Sequence, residues 1–278
     1  MYKSIISRVD LRVADLQRAV QFYEDIVGLR LLRQDGDEAH LGIPEELDQT
    51  LLVLHQDRDA PQRAPDEAGL FHIAFRLPDH AALADALRRI QHGHRLVGAS
   101  NHDISHALYL SDPEGNGLEI YTDNPRDQWP TTADGQIALT TRRLDLQALL
   151  QPPPTGHPDR FPPGTDVGHI HLEGTEIAGA ESFYAQLLHL NVTVQAPNVL
   201  FTAKDDYHHH IGLNGWNRRS RPLNEKSLGL VSIEASLPHL SRDQLLADAR
   251  SAGVSAAKCE DAVVLRDLNN IPWICRTA

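Results

Sequence analysis

One carboxylate stands inside an apolar run in the stretch HALYLSDPEGNGLEIY, residues 106–121. In a β-strand, Leu118 and Ile120 would share one face, whereas Glu119 and Tyr121 would share the other. Burial of an ionised carboxylate without a partner is strongly unfavourable. The pattern therefore predicts a metal ion beside Glu119, with a solvated strand face or a simple ion pair as the alternative.

Two further segments show the same alternation of polar and apolar residues. In FHIAF, residues 71–75, His72 lies on the face opposite to three apolar side chains. In GHIHL, residues 168–172, His169 and His171 oppose the apolar face in the same way. A solvated sheet would alternate too, but it would carry Lys, Thr and Arg. The narrow set of His, Glu and Tyr favours ligands that line a cavity.

The elements that must position these residues form an internal repeat. The pair Phe22–Tyr23 recurs as Phe183–Tyr184 at an offset of 161 residues, and FHIAFRLPDHAALADALRRIQHG resembles VSIEASLPHLSRDQLLADARSAG at an offset of 160. We therefore expect four repeats, starting near residues 5, 69, 167 and 229, each with a strand, a helix and about three strands. This pattern predicts an α+β fold of four βαβββ units.

The repeats predict two domains. The Pro-rich stretch QPPPTGHPDRFPPGTD cannot form a regular helix or a central strand. We expect an N-terminal domain over residues 1–125, a linker over 126–165 and a C-terminal domain over 166–278, with two repeats in each domain.

The composition indicates a globular protein, with 41% hydrophobic residues, 23% charged residues and 16 histidines. The formal net charge of −12 disfavours binding to nucleic acid or to anionic membranes. The sequence shows no bilayer-spanning apolar run and no signal peptide. Cys259 and Cys275 form no CxxC motif. We therefore expect a cytoplasmic protein with a small-molecule ligand.

Four βαβββ units, with FYxxxxGL after the first strand and DPxGNxxE near the last, resemble the vicinal oxygen chelate superfamily. That superfamily includes glyoxalase I, fosfomycin-resistance proteins, bleomycin-binding proteins and extradiol dioxygenases. The resemblance covers nearly the whole chain apart from the linker. It implies sheets that curl round a metal-binding cavity, with ligands on the first and last strands of paired repeats.

A local motif is similar to the signature of the extradiol dioxygenases. SNHDISHALYLSDPEGNGLE satisfies the spacing of His, Leu-Tyr, Asp-Pro, Gly and Glu, and only Ser100 departs from it. The resemblance implies that His72 and Glu119 are metal ligands and that His102 and Tyr109 are catalytic residues that contact substrate or ligands. The implied metal is Fe(II), with Mn(II) or another divalent ion as the alternative.

The third ligand is predicted from the partner repeat. Position 8 of the first repeat holds Arg8, which cannot ligate, and the matching position of the third repeat holds His169. The fourth repeat has Ser232 and Ile274 where the second has His72 and Glu119. We therefore expect one site between repeats two and three, which requires the halves, or neighbouring chains, to exchange partners. If repeats one and two pair instead, His55 becomes the acid/base candidate.

The segment DYHHHIGLNGW supplies a further candidate. Alternation along a strand predicts His209 towards the core and His208 and His210 on the polar face. We expect His210 to act as an acid/base or alternative ligand, with His208 as second choice, although a solvated His-rich hairpin would show the same residues. The segments GHIHL and YHHHIGLN are similar to those of two-domain catechol 2,3-dioxygenases of the Bacillus type.

The sequence thus predicts a metal-dependent extradiol dioxygenase that acts on catechol or a related vicinal diol. Its partners would be a small aromatic substrate and O2, and a homo-oligomer is left open. A glyoxalase-type reaction and a non-catalytic binding protein on the same fold are the alternatives. The spacing that ends at Glu119 favours the dioxygenase.

Overall fold

A computed structural model describes residues 3–46, 49–133, 137–138 and 140–278 of the chain. The first repeat comprises β1 (Ile6–Val13), α1 (Leu16–Phe22) continued by a π-helix (Tyr23–Val27), β2 (Arg30–Asp35), β3 (Glu38–Ile43) and β4 (Gln49–Gln56). The second comprises β5 (Gly69–Arg76), α2 (His80–Gly93), β6 (Gly98–Asn101), β7 (Ser105–Ser111) and β8 (Gly117–Asp123).

The predicted linker contains short elements: a 3-10 helix (Arg126–Gln128), β9 (Arg142–Arg143) and α3 (Leu146–Leu149). The third repeat comprises β10 (Asp166–Glu173), a π-helix (Ser182–Leu187), β11 (Asn191–Ala196), β12 (Val199–Ala203) and β13 (Ile211–Asn214). The fourth comprises β14 (Gly229–Leu237), α4 (Arg242–Ser251), β15 (Ala256–Cys259), β16 (Ala262–Arg266) and β17 (Pro272–Thr277).

The strands form two curled sheets, which confirms the predicted α+β fold and its four repeats. An eight-stranded sheet has the order β15-β16-β17-β14-β1-β4-β3-β2, so that it contains repeats one and four. A nine-stranded sheet has the order β11-β12-β13-β10-β5-β8-β7-β6-β9, so that it contains repeats two and three. Repeats two and three therefore share a sheet, as the expected site requires.

The chain divides into two compact units. One consists of Met1–Ala14, Asp57–Phe71 and Gly168–Ala278, and the other of Asp15–Gln56 and His72–Val167. The domain boundaries inferred from the sequence, near residues 125 and 165, stay a prediction.

Local sequence signals explain where the helices begin and end. Asp15 and Asp79 accept hydrogen bonds from the backbone N–H groups of Arg18 and Ala82 and so cap the helices that follow. Gly28, with a φ of 104°, ends the first helical segment in the left-handed region. His189 adopts the same region at the matching position of the third repeat, with a φ of 54°.

The strand alternation is confirmed for most of the core. Ile73 and Phe75 are fully buried. Phe71, which alternation assigns to the same face, is half-buried and lies against His171, with ring centroids 5.1 Å apart. The matching residue of the fourth repeat, Val231, lies at a register shift in the β1–β14 ladder.

Candidate metal centre

Three buried side chains lie close together. The ligand atoms of His72, Glu119 and His169 lie within 4.8 Å of one another, and the residues are between 2% and 7% exposed. Among the residues that the structure describes, this is the one group of three or more His, Cys, Asp or Glu able to hold a metal ion. The three residues expected from the sequence are therefore brought together, and their binding of a metal stays a prediction.

Neighbouring strands of the nine-stranded sheet position these residues. β5 and β8 are parallel, with Ala74 opposite Glu119. His72 lies two residues before Ala74 and therefore on the same face. His72 Nε2 is 3.0 Å from Glu119 Oε2. β10, which carries His169, is the other neighbour of β5 in the strand order.

This donor set fits a divalent cation. Two metal bonds of about 2.1 Å at right angles place their ligand atoms about 3 Å apart. His72 Nε2 and Glu119 Oε2 have that separation, 3.0 Å. Two imidazoles and one carboxylate bind Fe(II) in non-heme oxygenases and leave adjacent coordination positions open. A cation would also offset the unfavourable burial of the Glu119 carboxylate.

Tyr109 orients the carboxylate of Glu119. The two residues lie directly opposite each other in the β7–β8 ladder, and their side chains are hydrogen-bonded. Burial, followed by the negative charge of Glu119 and this hydrogen bond, raises the pKa of Tyr109 well above its ordinary value. Tyr109 therefore remains a phenol and donates its proton to the carboxylate.

His102 extends this row of hydrogen bonds. Its Nε2 lies 3.0 Å from Tyr109 Oη, and its Nδ1 lies 2.8 Å from the carbonyl oxygen of Thr140. A carbonyl only accepts, so Nδ1 carries a proton. His102 thus places a ring nitrogen against the Tyr109 hydroxyl, on the side away from Glu119.

The segment His208–His210 does not form the predicted strand. β13 begins at Ile211, so the three histidines precede the strand, although the His210 N–H still donates to Thr202 and its carbonyl accepts from Ile170. His208 and His210 are buried, whereas His209 is half-buried. The acid/base role of His210 is untested and stays a prediction.

His209 contacts two rings, one of which is the candidate ligand His169. Its ring centroid lies 4.2 Å from that of His169, whereas the distance from His208 to His169 is 6.0 Å. His209 also stacks on Phe201 at 4.4 Å with an interplanar angle of 17°. The strand pattern could not reveal this placement, because it depends on the loop before β13.

The other two histidines of the segment make local contacts. Nδ1 of His208 lies 2.8 Å from Nδ1 of His209, so that one donates and the other accepts. His210 Nδ1 accepts a hydrogen bond from the backbone N–H of Lys204 at 3.1 Å. The ring of His210 lies 4.7 Å from that of Tyr207.

His55 belongs to a different sheet from His72 and Glu119. It lies on β4, and its Nδ1 is 3.2 Å from Glu38 Oε2. A hydrogen bond from His40 lowers the pKa of Glu38. Since repeats one and two lie in separate sheets, the alternative in which they pair to build the site is wrong.

An ion-pair network occupies the matching positions of the eight-stranded sheet. Arg8 lies 2.7 Å from Asp10 and 3.4 Å from Glu234, and Arg276 lies 3.0 Å from Glu234. Ser232 donates a hydrogen bond to Asp10 at 3.1 Å. Arg8 therefore serves both carboxylates as a cation.

No helix among the described residues is long and apolar enough to cross a membrane.

A family model described as the Glyoxalase/Bleomycin resistance protein/Dioxygenase superfamily matches residues 5–120. The chain is 34% identical over 270 residues to the Catechol-2,3-dioxygenase of Bacillus subtilis (strain 168), which covers 94% of this chain and 93% of that protein.

Solved structures share the fold at low sequence identity. The cppA protein from Streptococcus pneumoniae TIGR4 has a TM-score of 0.64 at 10% identity, and the match covers 98% of each chain. Glyoxalase I from Zea mays has a TM-score of 0.59 at 14% identity, over 98% of this chain and 92% of that one. At these identities the likeness shows the fold alone.

Proposed function

Because the chain belongs to the glyoxalase/bleomycin resistance protein/dioxygenase superfamily, we propose that it is a metal-dependent extradiol dioxygenase acting on catechol or a related vicinal diol. The observation that carries the proposal is the buried group of His72, Glu119 and His169. Its composition supports Fe(II) as the metal, with Mn(II) or another divalent ion as the alternative. The substrates would be a small aromatic diol and O2.

Different side chains of the protein would bind the metal and position its ligands. His72, Glu119 and His169 hold the metal, which when bound supplies a Lewis acid for the diol and a redox centre for O2. Tyr109 donates a hydrogen bond to Glu119 and so fixes the carboxylate that the metal needs. His102 holds the Tyr109 hydroxyl in place from the other side.

A proton acceptor is also needed, because the diol must lose its second proton before the ring is cleaved. We assign this role to the segment His208–His210. The sequence pattern favours His210, and the geometry adds His209, whose ring lies 4.2 Å from that of His169. The acceptor would later return a proton to the substrate.

The test is oxygen uptake by anaerobically prepared, Fe(II)-loaded protein on addition of catechol. We expect uptake with formation of a yellow ring-cleaved product, and its loss in His72→Ala. His55→Ala is the matched control, since His55 is a histidine on a strand of the other sheet. It should retain full uptake.

The same assay assigns the proton acceptor. His209→Gln and His210→Gln keep the polarity of the side chain but remove its basicity. The acceptor is the residue whose substitution lowers kcat by about 100-fold or more and abolishes the acidic limb of the pH profile. Absence of uptake in protein with one bound Fe(II) per chain would overturn the dioxygenase proposal and favour a glyoxalase-type reaction.

A further inference from the structure

A row of aromatic rings runs from His169 towards the protein surface. It passes through His209 and Phe201 to His171, which meets both Phe71 and Trp216. The ring centroids of successive members are 4.2 to 5.5 Å apart. We call Phe71, His171, Phe201 and Trp216 the aromatic wall. These contacts make the wall continuous with the candidate metal centre.

The sheet register explains how rings on separated strands meet. His171 and Phe201 both lie opposite Gly212, on β10 and β12 respectively. A Cβ at position 212 would lie 3.0 Å from the ring of His171 and 3.2 Å from that of Phe201. Gly212 therefore leaves the space in which the two rings approach to 5.5 Å across the intervening strand.

Trp216 is held in place at the outer end of the wall. The side chain of fully buried Asn214 accepts a hydrogen bond from the backbone N–H of Trp216 at 3.1 Å, and its Nδ2 lies 3.1 Å from His171 Nε2. The indole nevertheless remains 54% exposed. It contacts the rings of Phe71 and His171 edge-on, at 5.5 and 5.4 Å. An exposed indole that packs edge-on against two neighbouring rings is suited to stack against an aromatic ligand.

Charged residues bound the wall at its far end. His169, His171 and Glu173 alternate along one face of β10. Glu173 accepts hydrogen bonds from Arg219 Nε at 2.9 Å and from Arg63 at 3.4 Å. The aromatic wall is therefore flanked by the candidate ligand His169 at one end and by this ion cluster at the other.

We propose that the aromatic wall contacts a substituent on the catechol ring, so that the preferred substrates are catechols with an aromatic or similarly bulky apolar substituent. The inference rests on the proposed function, because it takes the diol to be held at His72, Glu119 and His169. It adds a residue, Trp216, that determines specificity.

The experiment compares the binding of catechol and 2,3-dihydroxybiphenyl to anaerobic Fe(II)-loaded protein by calorimetry. An aromatic contact contributes about 0.5–1.5 kcal/mol, so we expect 2,3-dihydroxybiphenyl to bind roughly two to twelve times more tightly. Trp216→Ala should abolish this preference and leave the Kd for catechol within about twofold. Trp216→Phe should retain most of it.

A control and a second readout keep the test independent of turnover. Leu268→Ala removes another exposed hydrophobic side chain and should leave the preference unchanged. Trp129 and Trp273 are buried, so quenching of the exposed indole fluorescence reports directly on Trp216. We expect 2,3-dihydroxybiphenyl to quench it more than catechol does at equal occupancy.

The outcomes separate this inference from the proposed function. Equal binding of both diols, or a preference that survives in Trp216→Ala, overturns the inference even if catechol is cleaved. A Trp216-dependent preference without oxygen uptake supports the wall and overturns the dioxygenase. Failure of both diols to bind overturns both.

Discussion

The nine-stranded and eight-stranded sheets carry different residues at matching positions. The repeat offsets of 161 and 160 match His169 to Arg8 and His72 to Ser232. The third match follows from strand register, since Ala74 faces Glu119 in one sheet and its counterpart Glu234 faces Ile274 in the other. Each member of the candidate ligand set is thus replaced in the eight-stranded sheet by a residue that is not a metal ligand of this type.

The replacement extends to the neighbouring strand. Tyr109 faces Glu119 across the β7–β8 ladder, and Val264 faces Ile274 across the β16–β17 ladder. A hydrogen-bonded polar pair in one sheet is therefore an apolar pair in the other. The difference concerns a connected set of residues and not a single substitution.

Both sheets bury carboxylates, but different side chains contact these carboxylates in the two sheets. Asp10 and Glu234 are each 7% exposed and meet the guanidinium of Arg8. Glu119 is 4% exposed and meets an imidazole and a phenol, neither of which carries a permanent charge. In one sheet the chain supplies its own cation, whereas in the other a bound cation would complete the site.

The largest effect should come from Glu119→Gln, which preserves shape and removes the negative charge. We expect the affinity for Fe(II) to fall by more than about 100-fold, because loss of an outer-shell partner alone lowers it 10- to 100-fold. Metal content per chain after equilibration with limiting Fe(II) measures this. Ile274→Gln, the matching substitution in the other sheet, should leave the metal content unchanged. A full metal complement in Glu119→Gln would remove Glu119 from the ligand set.

Arg8→Met should lower the stability of the fold and leave metal binding unchanged. It leaves Asp10 and Glu234 close together without their shared cation, so we expect the free energy of unfolding to fall by about 2–3 kcal/mol. The estimate is below that for a fully buried pair because the Arg8 side chain is 24% exposed. Urea denaturation measures the loss, while metal content and oxygen uptake should stay unchanged.

A double substitution tests the cause of that loss. Arg8→Met combined with Glu234→Gln removes one of the two carboxylates and should recover part of the stability, as a double-mutant cycle would reveal. If Arg8→Met instead lost its metal with little change in stability, the functional contrast between the two sheets would be wrong.

The fold, and the closeness of His72, Glu119 and His169, could be predicted from the sequence because both depend on residue spacing. The Phe-Tyr pairs fix the repeat, and the exchange of His169 for Arg8 indicates that repeats two and three share a site. This inference needed no knowledge of packing. The structure brings the three predicted residues together in one buried group.

The surroundings of the site could not be predicted, since they depend on departures from regular alternation. His209 reaches His169 from a loop, and Phe71 turns towards His171 near the start of its strand. The contact between His171 and Phe201 needs the gap at Gly212, which no strand pattern reveals. Such features arise from tertiary packing and not from periodicity.

The smallest effects should distinguish two tyrosines, each of which donates a hydrogen bond to a buried carboxylate. Tyr109→Phe removes the hydrogen bonds of the hydroxyl to Glu119 and His102. We therefore expect the affinity for the metal or kcat to fall about tenfold, with little loss in the free energy of unfolding. Tyr23→Phe removes the hydrogen bond to Asp112, 3.0 Å long and buried, and should lower the free energy of unfolding by about 1 kcal/mol with metal binding intact.

The pH dependence of the Tyr23→Phe effect gives the sharper test. Burial raises the pKa of Asp112, and the hydrogen bond from Tyr23 opposes that rise by stabilising the ionised form. A carboxyl whose folded pKa is raised stabilises the fold at low pH, and this contribution is lost as the pH rises through the folded pKa. Without Tyr23 the folded pKa rises further, so the destabilisation should be larger at pH 7 than near pH 4. Denaturation at the two pH values measures it, and an equal loss at both would mean that the hydroxyl contributes by packing and not by hydrogen bonding to the carboxylate.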